Sequence, residues 1–112
     1  MHTFVELFRA KDEWLDLPVA ERETFLSDVA SRMAVLDELG AEVIGWGSSE
    51  PIDRDAGYPF FAVWRMPSTA VAERFAQELE AAGWYAYFQQ INTTGELQSP
   101  PEVLARLAQL GR

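Results

Sequence analysis

An α+β domain in the order β-α-β-β-α-β is the fold class that the sequence predicts, and three observations predict it. Four short runs are rich in aromatic and β-branched residues on both faces of a strand. Two longer runs between them repeat apolar residues at three- and four-residue steps, the helical period. Each helical run closes on a glycine, Gly40 and Gly83, so the chain falls into two β-α-β halves.

The first strand reads as Thr3 to Arg9, where Phe4, Val5, Leu7 and Phe8 crowd both faces around Glu6. A strand apolar on both sides is usually covered on both sides. Lys11 to Asp16 is a charged connector carrying Trp14 and Leu15. Pro18 stands where the first turn of a helix tolerates proline. Phe25, Val29, Met33, Leu36 and Leu39 then mark one apolar stripe, opposite Glu21, Arg22, Asp28, Arg32 and Asp37.

Ala41 to Gly47 predicts a second strand, and the polar, turn-rich run Ser48 to Gly57 a loop. Tyr58 to Met66 is a third strand, again apolar on both faces. Ser68 and Thr69 offer N-caps for a second helix carrying Val71, Phe75 and Leu79. Gly83 to Asn92 packs Trp84, Tyr85, Tyr87 and Phe88 ahead of Gln89, Gln90 and Asn92, and predicts the fourth strand. Thr93-Thr94-Gly95 is expected to turn the chain out of it. A short helix starting at Ser99-Pro100-Pro101-Glu102 ends the sequence.

This order is the ferredoxin-like split β-α-β arrangement. Right-handed crossovers place strands one and three at the centre of an antiparallel sheet, with both helices on one face. Two helices cover only one side of four strands. Phe4 with Phe8, Phe60 with Trp64, or Tyr85 with Tyr87 would each share a face, and aromatics on the bare side would exceed what a monomer exposes. A homodimer through the open sheet face is the simplest remedy.

Composition narrows the function classes. The 112 residues suit a single domain spanning 1–112 with a core of its own. Eighteen acidic residues against nine basic ones, a formal charge of −9, argue against nucleic acid and anionic membranes as partners. The same acidity sets aside an RNA-recognition domain of this topology. Cysteine is absent, which excludes disulfides, thiolate metal sites and a cysteine nucleophile, and fits a cytoplasmic setting. No signal-peptide pattern opens the sequence, and no apolar run reaches the roughly 20 residues of a membrane span.

The strand and helix order, the length and the doubly apolar strands resemble the dimeric α/β-barrel superfamily over about residues 3–97. The pattern Phe4-Val5-Glu6-Leu7-Phe8, Trp14-Leu15, Pro18 and Glu21-Arg22 is similar to a group of short bacterial proteins of unknown function within it. The resemblance implies a cavity between the helices and the sheet, or within the barrel. It also implies one of several activities: cofactor-independent monooxygenases, haem-degrading enzymes, polyketide cyclases, lactone isomerases or haem-dependent dismutases. Haem-degrading members use an asparagine, a tryptophan and a histidine. Asn92 and Trp64 match two of these in type, but no histidine lies in a later strand or helix. No cofactor and no metal is therefore expected.

Glu6 is the candidate catalytic residue. A carboxylate in the middle of an apolar central strand is costly unless it is paired or faces a cavity. Burial would raise its pKa into the range of a general acid or base. The competing role is a salt bridge to Arg65 or Arg9, or a dimer contact. Trp46, Trp64, Tyr85 and Tyr87, with Trp84, are candidate walls for a flat hydrophobic ligand, and core packing is the plainer role. Gln89 and Asn92 are candidate polar contacts. Strand alternation sets Gln89 on one face and Gln90 with Asn92 on the other, so only one set can meet a given cavity.

His2, the lone histidine, lies one residue from the terminus and reads as a surface side chain. Without a second histidine, Ser48, Ser49 and Thr69 form no triad. Gly45-Trp46-Gly47 lacks the lysine and spacing of a phosphate loop. Asp53 and Asp55 complete no calcium loop. The residues point to a small homodimer, either a cofactor-independent enzyme acting on a small hydrophobic or aromatic molecule or a non-catalytic binding or structural protein.

Overall fold

β1 (His2–Ala10) lies inside the sheet because both of its edges are paired. The computed structural model describes residues 2–112. Four strands run antiparallel in the order β2-β3-β1-β4, where β2 is Glu42–Ser48, β3 Phe60–Met66 and β4 Phe88–Glu96. The first and third strands are central, as the split β-α-β order requires.

Alternation on β1 decides which side carries the core. Phe4, Glu6 and Phe8 are buried, whereas Val5 and Leu7 are half-buried. Register aligns Phe4 with Trp64, Glu6 with Ala62 and Phe8 with Phe60, so these β3 residues share the buried side. Helices α2 (Val19–Met33) and α4 (Thr69–Ala81) cover it, together with the short α1 (Asp12–Leu15) and α3 (Val35–Glu38). Phe75 of α4 packs on Phe4 at 5.2 Å between ring centroids, and Trp14 of α1 packs on Phe88 at 4.7 Å.

The other side has no helix on it and carries Val5, Leu7, Phe61, Val63 and Ile91. The large aromatics of the strands point the opposite way from what a bare aromatic patch would need: Phe4, Phe8, Phe60 and Trp64 all face the helices. Phe61 is the exception, and it lies over Gly47, where a Cβ would come within 2.5 Å of its ring.

Several local elements differ from the sequence expectation. The predicted first long helix breaks at Ala34 into α2 and α3, and Pro18 is its N-cap residue, not its first helical one. The charged connector holds the one-turn helix α1. Ser68 caps α4 by accepting from the Val71 amide. The fourth strand starts late: Gly83 takes φ +83°, and Trp84–Ala86 form a 3-10 turn before β4 begins at Phe88. Tyr85 and Tyr87 are therefore not strand residues. Lys11 holds this turn by donating Nζ to the Tyr85 carbonyl at 2.6 Å and its amide to the Tyr87 carbonyl at 2.8 Å. Thr93-Thr94-Gly95 do not turn the chain; they continue β4 and pair with β1.

α5 (Pro100–Ala108), capped by Ser99, leaves Leu104 and Leu107 exposed, and Leu110 beyond its end is 73% exposed. The chain's radius of gyration is 16.3 Å, against roughly 13 Å for a compact chain of this length.

Candidate functional site

Glu6 is the one charged side chain in the described core, 2% exposed. It reaches this position because β1 alternates: the residues that flank it on the same face, Phe4 and Phe8, are the deepest aromatics of the sheet. Its carboxylate is held from both neighbouring strands. Trp64 Nε1 of β3 donates to Oε1 at 2.6 Å, and Gln90 Nε2 of β4 donates to Oε2 at 2.7 Å.

Gln90 is itself fixed by three bonds. Besides Glu6, its Nε2 donates to Asn92 Oδ1 at 2.7 Å, while its Oε1 accepts from Trp84 Nε1 at 2.8 Å. This pattern sets the amide orientation, since reversing it would place donor against donor at Trp84. Trp84 is held in turn by stacking on Phe88 at 4.0 Å and by the edge of Phe8.

Burial pushes the Glu6 carboxyl up to about 7 from 4.5, and the bonds from Trp64 and Gln90 pull against that rise. Near neutral pH the group thus exchanges between acid and carboxylate. Both partners are donors, so neither offers an acceptor to the proton of the acid form. Tyr85 also lies close: burial raises its pKa first, its hydrogen bond with Asn92 lowers it, and the charges of Glu6 and Glu80 raise it further.

A cavity of about 370 Å³ opens above Glu6, between the sheet and helices α2, α3 and α4. That is towards the small end of ligand pockets, which span roughly 300–1,000 Å³. Trp64, Trp84, Phe75 and Leu79 form its inner wall with Glu6, and Val29, Met33 and Leu36 its roof. Leu26, Asp37, Val43 and Trp46 stand at the exposed rim.

Trp46 reaches this rim through a backbone irregularity. Register jumps between Val43 and Gly45, leaving Ile44 as an extra residue. The bulge brings Val43, opposite Trp64, and Trp46, opposite Ala62, onto one face, where strict alternation would oppose them. Trp46 then meets Trp64 edge to face at 6.2 Å.

The expected site residues thus divide. Glu6, Trp46 and Trp64 line one cavity, and Asn92 adjoins it through Gln90. Gln89 faces the opposite side of the sheet, beside Arg9, and is exposed. Tyr87 packs against Trp14 and Phe25, away from the cavity. Glu6 makes no salt bridge among the described residues: Arg65 pairs with Glu42 at 3.4 Å, and Arg9 donates to the Gly57 carbonyl. His2 contacts Thr69 through its ring nitrogen at 3.1 Å. Among the described residues, no three His, Cys, Asp or Glu side chains gather to hold a metal ion, and no helix is long and apolar enough to cross a membrane.

Sequence reasoning understated Gln90, Trp84 and the helix contribution. Gln90 carried a signal in its alternation with Asn92, which pairs with Glu6 across the sheet. Met33, Leu36, Phe75 and Leu79 carried only the helical stripe that any core helix shows.

A protein-family profile, described only as a family of unknown function, matches residues 1–110. No curated protein matches the sequence. The structure of a chlorite dismutase candidate, TA0507, superposes with a TM-score of 0.74 at 15% identity, covering 95% of this chain. This chain spans about half, 48%, of that one. A protein of Arabidopsis thaliana superposes at 0.61 with 14% identity, covering 88% of this chain and 97% of its own. At such identities the likeness extends to the fold. The chain is thus an α+β protein with the ferredoxin-like fold.

Proposed function

Because this chain belongs over residues 1–110 to the family of unknown function DUF6616, we propose its function from the cavity alone: it binds a small hydrophobic or aromatic molecule there, and Glu6 transfers protons to and from it. One observation carries this reading. A carboxyl group with a pKa of about 7 lines an apolar cavity whose rim is exposed. Such a group can take a proton from an acidic C–H or O–H of a ligand and return it elsewhere, the balance of an isomerisation or cyclisation. Trp64 and Gln90 hold the carboxylate in place for that exchange, and the tryptophan walls orient a flat substrate.

A second reading, a non-catalytic binding or structural homodimer, is favoured by a different observation: both Glu6 oxygens already have partners within the fold. The dimer belongs to both readings. Val5, Leu7, Phe61, Val63 and Ile91 on the bare face support a second copy packing sheet to sheet.

Screening hydroxyaromatic and polyketide-like compounds for turnover, with wild type beside Glu6→Gln, separates the readings. An enzyme loses turnover in the variant and keeps its fold. Retained turnover in Glu6→Gln removes Glu6 from the chemistry, whereas lost stability in the variant with no activity in wild type favours the structural role.

A further inference from the structure

The cavity contains negative charge and no positive charge. Glu6 lies at its floor and Asp37 at its rim, while none of the described lining residues is a lysine, arginine or histidine. Its other chemical feature is an aromatic lining of Trp46, Trp64, Trp84 and Phe75. Trp46 and Trp64 are inclined at 73°, and Trp64 stands at 61° to Phe75, so π faces and edges enclose the space from several sides. Ring faces of this kind attract cations, tryptophan most strongly.

We propose that the ligand of this cavity is an amine that binds as its ammonium ion, with its apolar body between the tryptophans and its N–H groups directed at Glu6. This rests on the reading that the cavity binds a small molecule, and adds the charge that molecule carries. Each carboxylate oxygen has two acceptor sites. Trp64 occupies one on Oε1 and Gln90 one on Oε2, which leaves acceptor capacity for a charged donor. A charge-assisted hydrogen bond is the stronger kind. A ligand carboxylate would instead meet Glu6 and Asp37 with no cation to offset them.

The preference follows the ionisation of Glu6. Trp64 from β3 and Gln90 from β4 bond it, with Asn92 behind Gln90 and Tyr85 near by from the 3-10 turn; of the helices lining the cavity, α2 presents Leu26, Val29 and Met33, α3 Leu36 and Asp37, and α4 Phe75 and Leu79. None of these is cationic. As pH rises through about 7, Glu6 becomes the counter-ion and the ammonium gains affinity over a neutral analogue.

Calorimetric titration with naphthylmethylamine, naphthalenemethanol and naphthoate holds the apolar body constant and changes only charge. At about pH 8 the amine is expected to bind wild type on the order of 10-fold more tightly than the alcohol, with naphthoate weakest. Glu6→Gln should bring the amine down to the level of the alcohol and leave the alcohol unchanged. Asp37→Asn, at an exposed position that does not endanger folding, should lower amine affinity by a smaller factor. If the alcohol or naphthoate binds as tightly as the amine, the ammonium proposal is overturned while the cavity reading stands. If none of the three binds, the cavity reading fails and takes the proposal with it.

Discussion

Trp64 and Glu6, on adjacent central strands, are joined by an N–H···O bond of 2.6 Å running diagonally across the buried face of the sheet. The bond places an indole wall and a titrating carboxyl in one rigid unit. Trp64→Phe removes the donor and keeps most of the ring volume. The Glu6 pKa should then rise above 7, since the lost bond was lowering it. Unfolding by denaturant should show a loss of about 1–3 kcal/mol from the unmet acceptor.

Stability should also depend on pH through Glu6. Its pKa is raised in the fold, so its contribution is complete below about 4.5 and declines as pH rises to about 7, where the folded carboxyl ionises as well. The gap between those two values corresponds to about 3 kcal/mol. Thermal melts across this window should show the decline in wild type and a flatter profile in Glu6→Gln. Glu78, whose pKa is lowered chiefly by its hydrogen bond from Arg74, acts in the opposite direction but equally in both proteins.

Gly40 follows the end of α3 and Gly83 the end of α4, yet they should respond differently to alanine. Both have positive φ, +91° and +83°. A Cβ at Gly40 would fall 2.7 Å from Pro67 Cγ, whereas at Gly83 the nearest neighbouring atom is Phe25 Cε2 at 3.9 Å. Gly83→Ala should lose roughly 1–2 kcal/mol for the left-handed backbone alone. Gly40→Ala should lose more, in the same chemical-denaturation measurement.

The bare sheet face gives a prediction in solution. Val63 is half-buried there, at the centre of an apolar group with Val5 and Phe61. Sedimentation equilibrium should find wild type as a dimer and Val63→Asp as a folded monomer. A wild-type monomer at micromolar concentration would remove the sheet-to-sheet dimer.

The four strands, the helix before each crossover strand and the unusual place of Glu6 among apolar neighbours were legible because each rests on a short-range pattern. A carboxylate midway between Phe4 and Phe8 is visible in the letters of one strand. The start of β4 was not, because aromatic richness at 84–88 suits a strand and a packed 3-10 turn equally. Lys11, far away in the chain, holds that turn. The aim of Trp46 was hidden for a related reason: a single extra residue at Ile44 reverses the face of everything after it. Gln90 over Gln89 depended on the register of β4 against β1, which only pairing decides.

The most direct measurement is the protonation midpoint of Glu6, read from its carboxyl stretch in infrared difference spectra of wild type against Glu6→Gln. A midpoint of about 7 is expected for a carboxyl held in an apolar cavity by two N–H donors. A midpoint near the ordinary 4.5 would contradict it, since a solvated carboxylate would have no reason to exchange its proton at neutral pH.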